Sequence, residues 1–125
     1  MLDLGGRRVR RLDTPHVPHC WDAGLMFEEE TGTLFSSDLF THVGDPPAVT
    51  SGDIVGPAVA AEKQFGFTAV TPSAGATLRR LAALRPRTVA VMHGSSFSGD
   101  AAPVLESLAG FYDERLRESA PPAGA

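Results

Sequence analysis

Thr33-Leu34-Phe35-Ser36-Ser37-Asp38-Leu39-Phe40 sets a carboxylate between two apolar runs. Thr33 to Ser37 reads as a strand, so Asp38 falls where that strand ends. A carboxylate in apolar company is expected to be partly buried. Burial is costly unless the group is paired, hydrogen-bonded or metal-bound. A helix or turn cap is the competing reading, and both stay open on these residues alone. Two further stretches repeat the pattern of ligand-type residues at strand ends. Upstream lies Thr14-Pro15-His16-Val17-Pro18-His19-Cys20-Trp21-Asp22, and downstream lies Val91-Met92-His93-Gly94. Imidazole and carboxylate are the usual ligands of zinc and non-haem iron.

The segments around these stretches read as strands first and helices later. Leu2 to Gly6 is a short strand ending in a turn. Arg7 to Leu12 interleaves charged and apolar residues, as a half-exposed strand does, and the two glycines between them favour a hairpin. Ala23 to Glu29 is an apolar strand, turned by Glu30-Thr31-Gly32 into the strand that leads to Asp38. His42 to Pro57 is rich in Gly, Pro and Asp and reads as a long loop of the kind that lines sites. A helix is expected from about Ile54 to Phe65, capped by Asp53 and stopped by Gly66. A second helix follows a Ser73 cap, with Leu78, Leu81, Ala82 and Leu84 on one face, and ends at Pro86. Thr88 to Met92 is a β-branched apolar run, the pattern of a buried strand, and it delivers His93. Pro103 opens a last helix with Val104, Leu105, Leu108, Phe111, Tyr112 and Leu116 as its apolar stripe. The order is antiparallel strands, then helices, then a strand-helix unit, in a single domain over 1–118. Residues 119–125 read as a disordered tail of Ala, Pro and Gly.

Composition narrows the function classes. The chain has 125 residues, 42% hydrophobic and 21% charged, which suits one soluble domain with a modest core. The formal net charge of −4 argues against a nucleic-acid partner, and Arg7-Arg8-Val9-Arg10-Arg11 reads as a solvated strand face. The single cysteine, Cys20, leaves no internal disulfide and fits a reducing cytoplasm. No stretch has the length of a signal peptide or of a membrane span. The expectation is a cytoplasmic protein with neither a nucleic-acid nor a membrane partner.

His19, Asp38 and His93 are the candidate metal ligands. Pro15 and Pro18 stiffen the backbone around His19, which lowers the entropy lost in holding a ligand. Asp22, three residues on, is placed to orient a ring nitrogen. His93 ends the buried strand, and functional groups gather at the carboxyl ends of strands in open sheets. Gly94 permits a tight turn or a close backbone approach. His16, Trp21 and His42 join Asp22 as candidates for orienting or gating the site. Each also has a plain structural reading, as a turn residue or a satisfied core group.

Taken together, His-x-x-Asp, a strand pair, Ser-Asp-Leu-Phe, two helices and strand-His-Gly resemble the second half of the metallo-β-lactamase fold. Within that superfamily the resemblance is strongest to the flavodiiron and related oxygen-binding di-iron branch. It rests on His19-Cys20-Trp21-Asp22, Ser37-Asp38-Leu39-Phe40 and His93-Gly94, and it spans Leu2 to Leu116. It implies an α/β (α+β) fold, half of an αββα sandwich. It implies that His19 ligates one metal, His93 the other, and that Asp38 bridges both. The implied cofactors are two iron ions, with zinc as the alternative, and the implied small-molecule ligand is dioxygen or nitric oxide. Family activities are metal-dependent oxidoreduction or hydrolysis. Cys20 neighbours a ligand without being one, and at that place it is open to oxidation.

The chain departs from the family at its start. The His-x-His/Glu-x-Asp-His cluster that normally brings four ligands is absent, since no histidine precedes His16. No flavodoxin-like segment is present, so no flavin is implied. Met1 resembles the middle of the family domain. The expectation is therefore a partial, C-terminal domain. Its first half would come from a partner chain or from sequence upstream of Met1; otherwise it would self-associate. A zinc-dependent hydrolase of the same fold and a non-catalytic, self-associating interaction module are the two alternatives.

Overall fold

A computed structural model describes residues 2–15, 17, 23–66, 68–69 and 71–119. The elements, in chain order, are β1 (Leu2–Asp3), β2 (Arg8–Asp13), β3 (Gly24–Glu28), β4 (Thr33–Phe35), β5 (Val49–Thr50), α1 (Val55–Phe65), α2 (Ala74–Ala83), β6 (Thr88–Ala90), β7 (Ser96–Ser98) and α3 (Ala102–Ser119). The strands form one sheet in the order β1-β2-β3-β4-β6-β7-β5. β1 to β4 make an antiparallel meander, with Met26 opposite Phe35 and Leu34 opposite Phe27. The chain then leaves through α1 and α2 and returns as β6, parallel to β4, with Leu34 opposite Val89. β7 runs antiparallel to β6, and β5 pairs parallel with β7 at the edge. The fold is α+β, as expected.

Alternation along the strands decides which face the helices cover. Leu25, Phe27, Leu34, Val89 and Phe97 point to one side and are buried with Leu78, Leu81, Leu105 and Leu108 from the helices. Their neighbours Met26 and Phe35 point to the other side and are about half exposed.

Each helix begins and ends for a local reason. The Asp53 carboxylate accepts the Val55 and Gly56 amides at 2.8 and 3.0 Å, which starts α1. Gly66, at φ 67°, closes it by donating to the Glu62 carbonyl. Ser73 sits at the expected start of α2, but its hydroxyl pairs with Thr71 at 3.1 Å instead of capping the helix. In α3, Leu105, Leu108, Ala109 and Tyr112 follow helical spacing and are buried. Arg79 ties α2 to α3 through Asp113 at 2.7 Å and Glu106 at 3.4 Å. The helix continues through Ser119, one residue into the segment read as tail.

Three expectations need correction. The run read as a strand over Thr88 to Met92 leaves the ladder after Ala90, because the Ser96 hydroxyl takes the Val91 amide at 3.0 Å and the chain turns. Met92 is consequently 63% exposed and not buried. Finally, β7 and β5 were not expected. Ser96-Phe97-Ser98 has one apolar residue, and Val49-Thr50 lies within the Gly- and Pro-rich loop, so neither carries a legible period.

The β3–β4 turn carries a testable ion. Glu28 is buried, and its carboxylate accepts the Glu30 amide at 2.9 Å, the Thr31 amide at 3.0 Å and the Thr31 hydroxyl. The Thr31 hydroxyl bond is the main cause that holds its pKa below the ordinary glutamate range; the backbone amides and Arg7 assist, and desolvation opposes them. Stability from this ion is fully present above the ordinary glutamate pKa. It is lost as the pH falls through the lowered folded value. Glu28→Gln is therefore expected to destabilise the protein at neutral pH, with the difference from the parent shrinking as the pH falls below the ordinary glutamate range. Urea denaturation across a pH series measures it.

Candidate metal centre

The strand end after β4 and the loop after β6 lie side by side because those strands are parallel neighbours. The Ser36 amide donates to the Ala90 carbonyl at 3.1 Å, and the Met92 amide donates to the Ser37 carbonyl at 3.3 Å. Ser37 and Phe40 adopt positive φ of 50° and 66°, giving a sharp turn around Asp38. Within that turn the Thr41 amide and hydroxyl both donate to the Asp38 carbonyl. The turn projects the Asp38 carboxylate toward His93, whose Nε2 lies 3.2 Å from Oδ1. The Asp38 side chain is 30% exposed and that of His93 is 60% exposed, so the pair sits at a rim open to solvent.

This separation suits two donors on one ion. Neighbouring ligands with bonds of about 2.1 Å lie roughly 3.0 Å apart in octahedral and roughly 3.4 Å apart in tetrahedral geometry. One imidazole and one carboxylate are also the right donor types. They are not a complete set: among the described residues no three His, Cys, Asp or Glu side chains converge on one point. His19, the third expected ligand, lies outside the described residues, as do His16, Cys20, Trp21 and Asp22.

His42 takes a buried position behind the pair, at 6% exposure. Its Nε2 accepts the Ser95 amide at 2.9 Å and its Nδ1 lies 2.8 Å from the Phe40 carbonyl. Its own amide donates to the His93 carbonyl at 2.9 Å.

A second polar group lies beneath the Asp38 turn. Glu62 is buried and accepts the Thr68 amide at 2.8 Å, and the Tyr112 hydroxyl donates to the Thr68 hydroxyl at 3.2 Å. With Asp38, Leu39, Phe40 and Thr41 they surround a void of about 10 Å³, the space of about one water. Burial, together with the nearby Glu62 charge, pushes the Tyr112 phenol pKa well up, so the group stays protonated. No local pattern marks this cluster: Glu62 precedes Lys63 on a helix, and its partner Thr68 lies beyond the end of that helix.

On the open face of the sheet, Met26, Phe35, Ala90, Val91 and Met92 line a mostly apolar hollow of about 440 Å³. Ser37 lies on the same wall, so the hollow reaches the turn that carries Asp38. Among the described residues no helix is long and apolar enough to cross a membrane.

Comparison with solved structures places this architecture. The flavodiiron protein from Giardia intestinalis superposes with a TM-score of 0.65 at 17% identity, over 91% of this chain and 29% of that one. A chemotaxis sensor, ODP, solved as its peroxy di-iron species, superposes with a TM-score of 0.67 at 20% identity, over 92% of this chain and 53% of that one. The chain shares the metallo-β-lactamase-like fold of these proteins. It spans about half the length of the sensor and under a third of the flavodiiron chain. No family model matches the sequence, and no curated protein matches it.

Proposed function

We propose that Asp38 and His93 are ligands of a di-iron centre that binds or reduces dioxygen or nitric oxide. The observation that carries this reading is the approach of their side chains to 3.2 Å at adjacent strand ends. That approach occurs in a fold shared with a flavodiiron protein and a di-iron chemotaxis sensor. In this reading His19 would be the third ligand this chain supplies, and the Asp38 carboxylate would serve both ions. The remaining ligands come from outside these 125 residues. When bound, the iron pair supplies redox electrons and open coordination positions for a diatomic ligand.

The chain's own residues have separate tasks. Asp38 contributes the negative charge that lets two cations sit close together. Its turn, fixed by Thr41 and by Ser37 at positive φ, aims the carboxylate. His93 would contribute an imidazole nitrogen at the solvent rim. The hollow lined by Met26, Phe35 and Met92 supports a docking role for the open face, which we assign to the first layer of the same sandwich. Its apolar side chains then exclude water next to the site.

The test is metal analysis of the purified chain, alone and after co-expression with a first-half fragment of such a domain. Two irons per complex, with none in the chain alone, is the expected result. No metal in either sinks the reading. Zinc in place of iron would instead favour hydrolysis. A stable homodimer indifferent to chelator, seen by light scattering, would favour a non-catalytic module that covers its open face with a second copy.

A further inference from the structure

The loop carrying His93 is wrapped around the ring of His42. Three consecutive residues engage His42: the His93 carbonyl accepts its backbone amide, Gly94 lies against its ring, and the Ser95 amide donates to Nε2. A Cβ on Gly94 would meet the ring carbon Cε1 at 2.4 Å and Nδ1 at 2.5 Å. Gly94 also has φ 131°, so a side chain is excluded both by space and by backbone conformation. On its other side the ring engages the Asp38 turn through the Phe40 carbonyl.

These contacts determine the proton on the ring. A backbone amide only donates, so Nε2 must be the acceptor from Ser95. Nδ1 then carries the hydrogen and donates to the Phe40 carbonyl. The ring is buried, at 6% exposure, and both of its nitrogens are engaged. The ring thus joins the turn that holds Asp38 to the loop that holds His93, with a donor on one edge and an acceptor on the other.

We infer that His42 is a positioning residue: as the Nδ1–H tautomer it latches the 93–95 loop to the 38–42 turn and so sets the approach of His93 to Asp38. Gly94 is the other half of the latch: its missing side chain admits the ring. The inference rests on the metal-ligand reading only where it concerns metal uptake; the latch itself is a property of the metal-free chain.

Nitrogen-15 long-range correlation on the labelled, metal-free chain tests the tautomer directly, with no variant needed. A protonated Nδ1 and an unprotonated Nε2 at His42 are expected, and a protonated Nε2 overturns the latch. His42→Leu and His42→Gln then test its role. Amide exchange at Ser95 is expected to accelerate more than tenfold in the Leu variant. Exchange at Leu105, whose amide bonds the Ala101 carbonyl in the core, stays unchanged. The His93 ring resonances shift toward those of a free histidine. Glutamine has both a donor and an acceptor, and it is expected to restore Ser95 protection to within about threefold. Unchanged Ser95 exchange and His93 resonances in His42→Leu overturn the proposal. In the co-expressed complex, iron affinity is expected to fall about 10- to 100-fold in His42→Leu. If the parent complex takes up no iron, the metal reading fails while the exchange and tautomer results still decide the latch.

Discussion

Asp38→Ala abolishes iron uptake by the co-expressed complex while leaving the metal-free chain almost as stable as before. The two halves of this expectation have different physical origins. The contact with His93 is partly solvated, with the imidazole side chain 60% exposed. Pairs of that kind contribute between zero and about 1 kcal/mol. Removing the carboxylate also removes the cost of holding a charge against Leu39 and Phe40, which offsets part of the loss. The turn itself survives, because its bonds run through the backbone carbonyl of Asp38, which alanine keeps. Metal binding has no such substitute. Loss of a residue that merely orients a ligand costs about 10- to 100-fold in affinity, and loss of a bridging ligand is expected to cost more than that. Asp38→Asn separates charge from shape: it fills the same space without the negative charge that two cations require. Iron content by plasma emission spectroscopy, with chelator competition and urea denaturation of the metal-free chain, measures both halves. A variant that loads iron as the parent does removes Asp38 from the ligand set.

How far this arrangement could be read from the sequence depends on whether a local pattern carried it. Leu25 and Leu34 lay in runs legible as apolar strands, with no alternation to say which face each takes. Leu78, Leu81, Leu105 and Leu108 announced themselves by helical spacing and are buried as expected. Asp53 and Gly66 marked the ends of α1 through cap chemistry that acts within a few residues. Asp38 and His93 were legible as residues of ligand type; each lies three residues past its strand, and the parallel pairing of β4 with β6 brings them together. What failed was non-local. Phe97 lies in a strand with one apolar residue, made a strand by its pairing with Val89. Met92 looked like the end of a buried run, but its exposure follows from a turn set by the bond between the Val91 amide and the Ser96 hydroxyl. The engagement of His42 with Ser95 spans 53 residues, so its neighbours in sequence could not reveal it. Glu62 owes its burial to Thr68 and to packing near Tyr112, again outside its helix.

Leu34→Ala and Phe35→Ser, one residue apart, are expected to give opposite results. Leu34 is fully buried in the central part of the sheet, flanked by Phe27 on β3 and Val89 on β6 and covered by the helices. Truncating it removes apolar contacts and leaves a cavity, because the paired strands on either side cannot close in. Such changes cost about 2–5 kcal/mol. Against a total of about 5–15 kcal/mol for a small domain, that is a large share, equivalent to a fall in melting temperature of roughly 10 °C. Phe35 points to the open face and is 46% exposed, so it is already half in water. Phe35→Ser is expected to cost the isolated chain little and to lower its tendency to associate, since it breaks up the apolar hollow shared with Met26 and Met92. In the co-expressed complex the order reverses for binding. Leu34→Ala leaves the proposed docking face intact, whereas Phe35→Ser removes its largest side chain and is expected to weaken capture of the first-half fragment. Thermal denaturation of the chain and co-purification of the fragment read the two effects separately. Equal stability losses in the two variants would contradict the assignment of the sheet faces. Undiminished capture by Phe35→Ser would move the docking surface elsewhere.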